Sequence, residues 1–77
     1  MAPKPNEYYR HYKGNYYKVL HIAKHSEDLS PLVIYQAQYG ERDVWARPLP
    51  MWDEVVEHDG VREPRFRRVN EDEIPEK

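Results

Sequence analysis

Residues 16–40 read YYKVLHIAKHSEDLSPLVIYQAQYG, and this stretch decides the fold. Tyr16 to His25 and Leu32 to Tyr39 are rich in tyrosine and β-branched residues, which suit a pleated, half-buried surface better than a helix. Between them, Ser26 to Pro31 is polar and carries a proline, so it reads as a loop. In the second run Val33, Tyr35, Ala37 and Tyr39 share one face and Leu32, Ile34, Gln36 and Gln38 the other, the period of a strand. The first run alternates imperfectly, because Val19 and Leu20 are both apolar and so are Ile22 and Ala23. Either a bulge shifts the phase or both faces are covered.

Outward from this pair the pattern continues. Lys13-Gly14-Asn15 is a short turn behind an aromatic run from Tyr8 to Tyr12. Tyr39-Gly40-Glu41 turns the chain into Asp43 to Arg47, and Pro48 ends that run because it lacks the N–H a ladder needs. Leu49 to Val56 sets Met51, Trp52, Val55 and Val56 at helical spacing around acids, which predicts a short helical turn. His58-Asp59-Gly60 turns again, and Arg65 to Val69 forms the last strand around Phe66. The sequence thus predicts a mostly β domain over residues 8–69: a small five-stranded antiparallel SH3-like barrel or roll with one helical turn before the last strand. Its expected centre is Val19, Leu20, Ile22, Val33, Tyr35, Trp45, Val55 and Phe66. Residues 1–7 read as a flexible arm and 70–77 as an acidic, flexible tail, so cutting the chain at Asn70 is expected to leave stability unchanged.

Composition narrows the function classes. A chain of 77 residues has room for one domain, and so small a domain buries only roughly 60% of its unfolded surface. There are no cysteines, which removes disulfides, thiolate nucleophiles and cysteine zinc sites, and favours a cytoplasmic home. No signal sequence or membrane span is visible. Lysine and arginine number 12 against 14 acids. Residues 70–77 hold four of those acids, so the body is close to neutral. Nucleic acid is therefore a possible but unfavoured partner, since phosphate neutralisation calls for a basic surplus. The strip Arg62, Arg65, Arg67 and Arg68 reads as a solvated edge strand.

The runs YRHYKGNYYKVLHIAKHSE, VIYQAQYG, VWARPLPMW and PRF occur in order, and over residues 8–69 the chain resembles the bacterial domain-of-unknown-function family 1653. The resemblance implies an SH3-type barrel or roll and no assigned activity. Trp52 stands where the family pattern leads one to expect phenylalanine.

Little in the residues points to catalysis. His21 and His25 have zinc-ligand spacing for a helix, but on a strand they lie roughly 13 Å apart, too far to share a metal. His11 and His58 sit near Glu57 and Asp59 in no ligand pattern, so neither a metal nor a cofactor is expected. Ser26-Glu27-Asp28 after His25 is ordinary turn chemistry, and three scattered glycines make no phosphate loop. What does stand out is an aromatic surplus. The seven tyrosines exceed what a small core hides, because each buried hydroxyl needs a partner, and Tyr8, Tyr9, Tyr12, Tyr16, Tyr17, Tyr35, Trp45 and Trp52 are the candidates to line a groove. The residues favour a binding module that docks a peptide or protein segment, or single-stranded nucleic acid, on an aromatic groove containing Tyr12, His25, Tyr35, Trp45 and Arg47, the module itself a monomer. The alternative is a small hydrolase or ligand-processing domain using His25, Tyr35 and Arg47. Arg47 discriminates: if Glu27, Asp43 or Asp53 takes its guanidinium, the arginine is structural.

Overall fold

The structure is a computed structural model and describes residues 3–75. Its elements are β1 (Tyr8–His11), β2 (Tyr16–Lys24), β3 (Pro31–Ala37), β4 (Val44–Pro48), α1 (Leu49–Trp52), β5 (Val55–His58), β6 (Val61–Pro64) and β7 (Phe66–Val69), followed by a 3₁₀ turn at Glu71–Glu73. Five strands form one antiparallel sheet in the order β4-β3-β2-β1-β7, and β5 pairs with β6 as a separate hairpin. The domain is mostly β, as the sequence predicts, and takes the roll form: β4 and β7 are free edges of an open sheet, so the barrel does not close.

The roll is tight all the same. Four strand spacings of about 4.8 Å would hold β4 and β7 about 19 Å apart in a flat sheet, yet the Arg47 guanidinium of β4 lies 5.6 Å from the ring centre of Phe66 in β7. The concave face encloses Tyr9, Val19, Val33, Tyr35, Trp52 and Phe66. Trp52 and Phe66 stack face to face at 3.7 Å, while Tyr9 and Tyr35 meet Trp52 edge-on at 5.2 and 5.1 Å. The single helical turn α1 exists to put Trp52 there.

The irregular phase of β2 is a bulge. Its register with β3 shifts between Val19 and His21, leaving Leu20 over. Val19 is wholly buried, but Leu20 is only half-buried and Ile22 is 39% exposed, contrary to the core expected from sequence. The reason is length: β1 pairs with β2 only from Tyr16 to Lys18 and the chain before it reaches only Val19, so β2 from Leu20 onward projects beyond its neighbour. Trp45 and Val55 also leave the expected core, at 42% and 58% exposed. Trp45 stands on an edge strand, and Val55 belongs to the β5–β6 hairpin rather than to a longer helix.

Both ends of the described chain are tied down. Pro3 is buried, the Asn6 N–H donates to the Val19 carbonyl at 2.8 Å, and the Val19 N–H donates to the Glu7 carbonyl at 2.8 Å. At the other end Asn70 and Glu73 form a reciprocal capping box, and Ile74 is 6% exposed. Residues 1, 2, 76 and 77 lie outside the described residues, but the free arm and free tail read from the sequence do not describe 3–7 and 70–74. Prolines and acids announce solvent; a single isoleucine at the end of an acidic run is enough to dock it.

Candidate functional site

Strand pairing places the site. Tyr35 stands directly opposite Trp45, Val33 opposite Arg47, and Tyr17 opposite Ala37, so all project from the concave face. Where β4 runs into α1, an open groove of ≈ 580 Å³ is lined by Tyr17, Tyr35, Tyr39, Trp45, Arg47 and Met51, among others. Its aromatic walls are mutually braced. Tyr17 meets Tyr35 at 5.4 Å, Tyr39 at 5.6 Å and Trp45 at 6.1 Å, each edge-on, and the Tyr17 and Tyr39 hydroxyls share a hydrogen bond of 2.8 Å. Burial first, then that hydrogen bond, pushes the Tyr17 hydroxyl above the usual phenol range.

Arg47 supplies the polar feature. Its Nε–H donates to the Tyr35 hydroxyl at 3.3 Å, which satisfies a buried phenol, and its plane lies over Phe66. None of the ion pairs among the described residues includes Arg47: Glu54 is taken by Arg65, Glu7 by Arg68, and the remaining contacts join histidines to acids. Glu27, Asp43 and Asp53 all leave it unpaired. A half-buried guanidinium without a carboxylate retains donors for a planar anionic group.

Of the five site residues read from the sequence, the fold gathers Tyr35, Trp45 and Arg47 and leaves out two. Tyr12 belongs to a neighbouring cluster, its ring 4.6 Å from His11 and 5.3 Å from His58, with the Arg65 guanidinium 5.9 Å above it. His58 there contacts Glu63, and Arg65 pairs with Glu54 at 2.8 Å. His25 lies past the end of β2 in an exposed loop. Its Nδ1 accepts the Glu27 N–H at 3.1 Å, and Asp28 is bound to Ser30 through both N–H and hydroxyl. Tyr17 comes from the wider aromatic set. Tyr39 and Met51 are absent from the set read from sequence: alternation puts Tyr39 on the Tyr35 face and helical spacing puts Met51 on the turn after β4, but neither pattern says that they border one groove.

His11 belongs to the neighbouring cluster, its ring against that of Tyr12. Burial holds the His11 imidazole below its usual range, and Arg65, Arg47 and Lys13 reinforce the effect. No group of three or more His, Cys, Asp or Glu side chains among the described residues is placed to hold a metal. No helix among them is long and apolar enough to cross a membrane.

Comparison with known proteins gives a consistent result. Residues 7–68 match the family model described as "Protein of unknown function (DUF1653)". A crystal structure of a DUF1653 protein from Bordetella bronchiseptica superposes with a TM-score of 0.77 at 33% identity, covering 87% of each chain. None of the curated proteins matches.

Proposed function

Because the chain belongs to the DUF1653 family, whose description assigns no activity, its role has to be read from its own surface, and we propose that it is a non-enzymatic binding module that docks an extended, acidic peptide segment in the aromatic groove. The observation that carries this reading is the Arg47 guanidinium, anchored on Tyr35 and Phe66 yet without a carboxylate partner among the described residues. Trp45 and Met51, 42% and 44% exposed beside it, offer the apolar contact that gives a peptide most of its affinity. Nucleic acid suits the site less well, because the chain carries a formal net charge of -2. The ligand-processing alternative requires His25 beside Arg47, and His25 is not among the residues that line the groove.

The test is a ¹⁵N-shift titration with acidic decapeptides and their glutamine counterparts. Shifts at Tyr39, Trp45 and Met51 are expected. Arg47→Ala should weaken binding about tenfold or more, the worth of a charge-assisted hydrogen bond. Shifts confined to another face, with affinity intact in Arg47→Ala, would retire the proposal.

A further inference from the structure

The groove borders an unusual edge. In the β3–β4 pair the Ala37 N–H donates to the Asp43 carbonyl at 3.0 Å, which makes 37/43 a hydrogen-bonded pair of the antiparallel ladder. Because bonded and non-bonded pairs alternate, 35/45 and 33/47 are bonded too. The backbone groups of Val44 and Ala46 therefore face away from β3. Pro48 falls in the same outward set, where its missing N–H costs no internal bond. Among the described residues β4 pairs with β3 alone, so the N–H and C=O of Val44 and Ala46 form an open row.

Native edges are blunted by charge, proline or distortion. The opposite edge, β7, carries Arg67 and Arg68. β4 reads Val-Trp-Ala-Arg-Pro and is guarded only at its last residue. Its single cation is Arg47, which faces the groove rather than the edge.

Resting on the groove reading, we infer that β4 takes up an antiparallel β-strand from a partner protein, whose sequence reads acid–x–apolar. The acid stands opposite Arg47, the middle residue exchanges backbone hydrogen bonds with Ala46, and the apolar residue stands opposite Trp45. Cross-strand pairing supplies both side-chain preferences, opposite charge at the first position and an aromatic or aliphatic group at the third. Backbone pairing fixes the direction, and the groove below receives the two side chains. The chain's own Asp43-Val44-Trp45-Ala46-Arg47, read antiparallel, meets the same pattern, with Asp43 facing Arg47. A second copy held by this five-residue strand pair alone would fall well short of the roughly 1,200 Å² of a stable interface, and a dimer is the competing occupant that the experiment separates.

The probe is the capped peptide Thr-Glu-Thr-Phe-Thr with ¹⁵N-labelled full chain, compared with its Glu→Gln form, its reversed sequence, and a form N-methylated at the central threonine. Expected are slowed amide exchange at Val44 and Ala46 on saturation, and affinity at least about tenfold weaker for each control peptide, as loss of a charge-assisted or backbone hydrogen bond predicts. Arg47→Gln should abolish the Glu-over-Gln preference. Groove shifts with unchanged exchange at Val44 and Ala46, or full affinity of the N-methylated peptide, overturn strand addition and leave the groove reading standing. Absence of groove shifts with every peptide overturns both. Concentration-dependent protection of the two amides without peptide, with a dimer in sedimentation, overturns the partner peptide as occupant in favour of a second copy.

Discussion

His11 packs edge-on against Phe66 at 5.0 Å, and its Nδ1 accepts the Lys13 N–H at 3.1 Å, so the proton of the neutral ring belongs on Nε2. Burial, with Arg65, Arg47 and Lys13 close by, lowers its affinity for a proton from an ordinary value of 6.5. The unfolded chain then binds a proton that the folded chain resists, and stability falls as the pH drops through that ordinary value until the folded imidazole also titrates. In His11→Gln this step should vanish. Urea midpoints measured from about pH 8 to pH 5, where histidine titrates, should slope for the parent and flatten for the variant; equal slopes would assign the step elsewhere. At this scale the sequence shows Tyr35, Trp45 and Arg47 well, because strand alternation and adjacency bring them to one face. Tyr12 and His25 are misplaced for a common reason. Each lies just beyond a strand end, where alternation no longer states a direction.

Strand existence is legible and its limits are less so. The two runs within 16–40 become β2 and β3 with the bulge that the broken alternation predicts. The β5–β6 hairpin is missed, although His58-Asp59-Gly60 reads as a turn, because Val55 and Val56 fit a helical stripe as well as a strand over so few residues. What decides is the turn: Asp59 and Gly60 have φ of 52° and 76°, the doubly left-handed backbone of a tight hairpin, for which Asp-Gly is the preferred pair. Gly60→Ala should cost about 1 kcal/mol, the penalty of a Cβ in that region. The loss should be local, seen as faster amide exchange in β5 and β6 with the five-stranded sheet undisturbed. Uniform acceleration across both sheets would mean that the hairpin folds as one unit with the roll.

For the whole molecule, sequence alone conveys the class of fold and understates how much of the chain takes part. Val69 and Ile74 are both buried but lie outside the main cluster. Phe66 is on the concave face, so Val69, three residues on, is on the convex one. Pro75 lies beside Tyr16 and Gln38, so the chain after β7 crosses β1 to reach them, a strap over the back of the sheet. Cutting the chain after Val69 should therefore cost about 2 kcal/mol, the burial of one large aliphatic side chain, and Ile74→Ala alone should reproduce much of the drop in urea midpoint. A truncated chain as stable as the parent would show that the strap contributes nothing. The two tryptophans have opposite fates: Trp52 is sealed against Phe66, and Trp45 stands half in water at the groove. The chain's intrinsic fluorescence is consequently the sum of two emitters, a blue one shielded from iodide and a red one open to it. A visitor to the groove alters the red component and unfolding alters the blue, so occupancy and integrity are reported separately, without a label, in one cuvette.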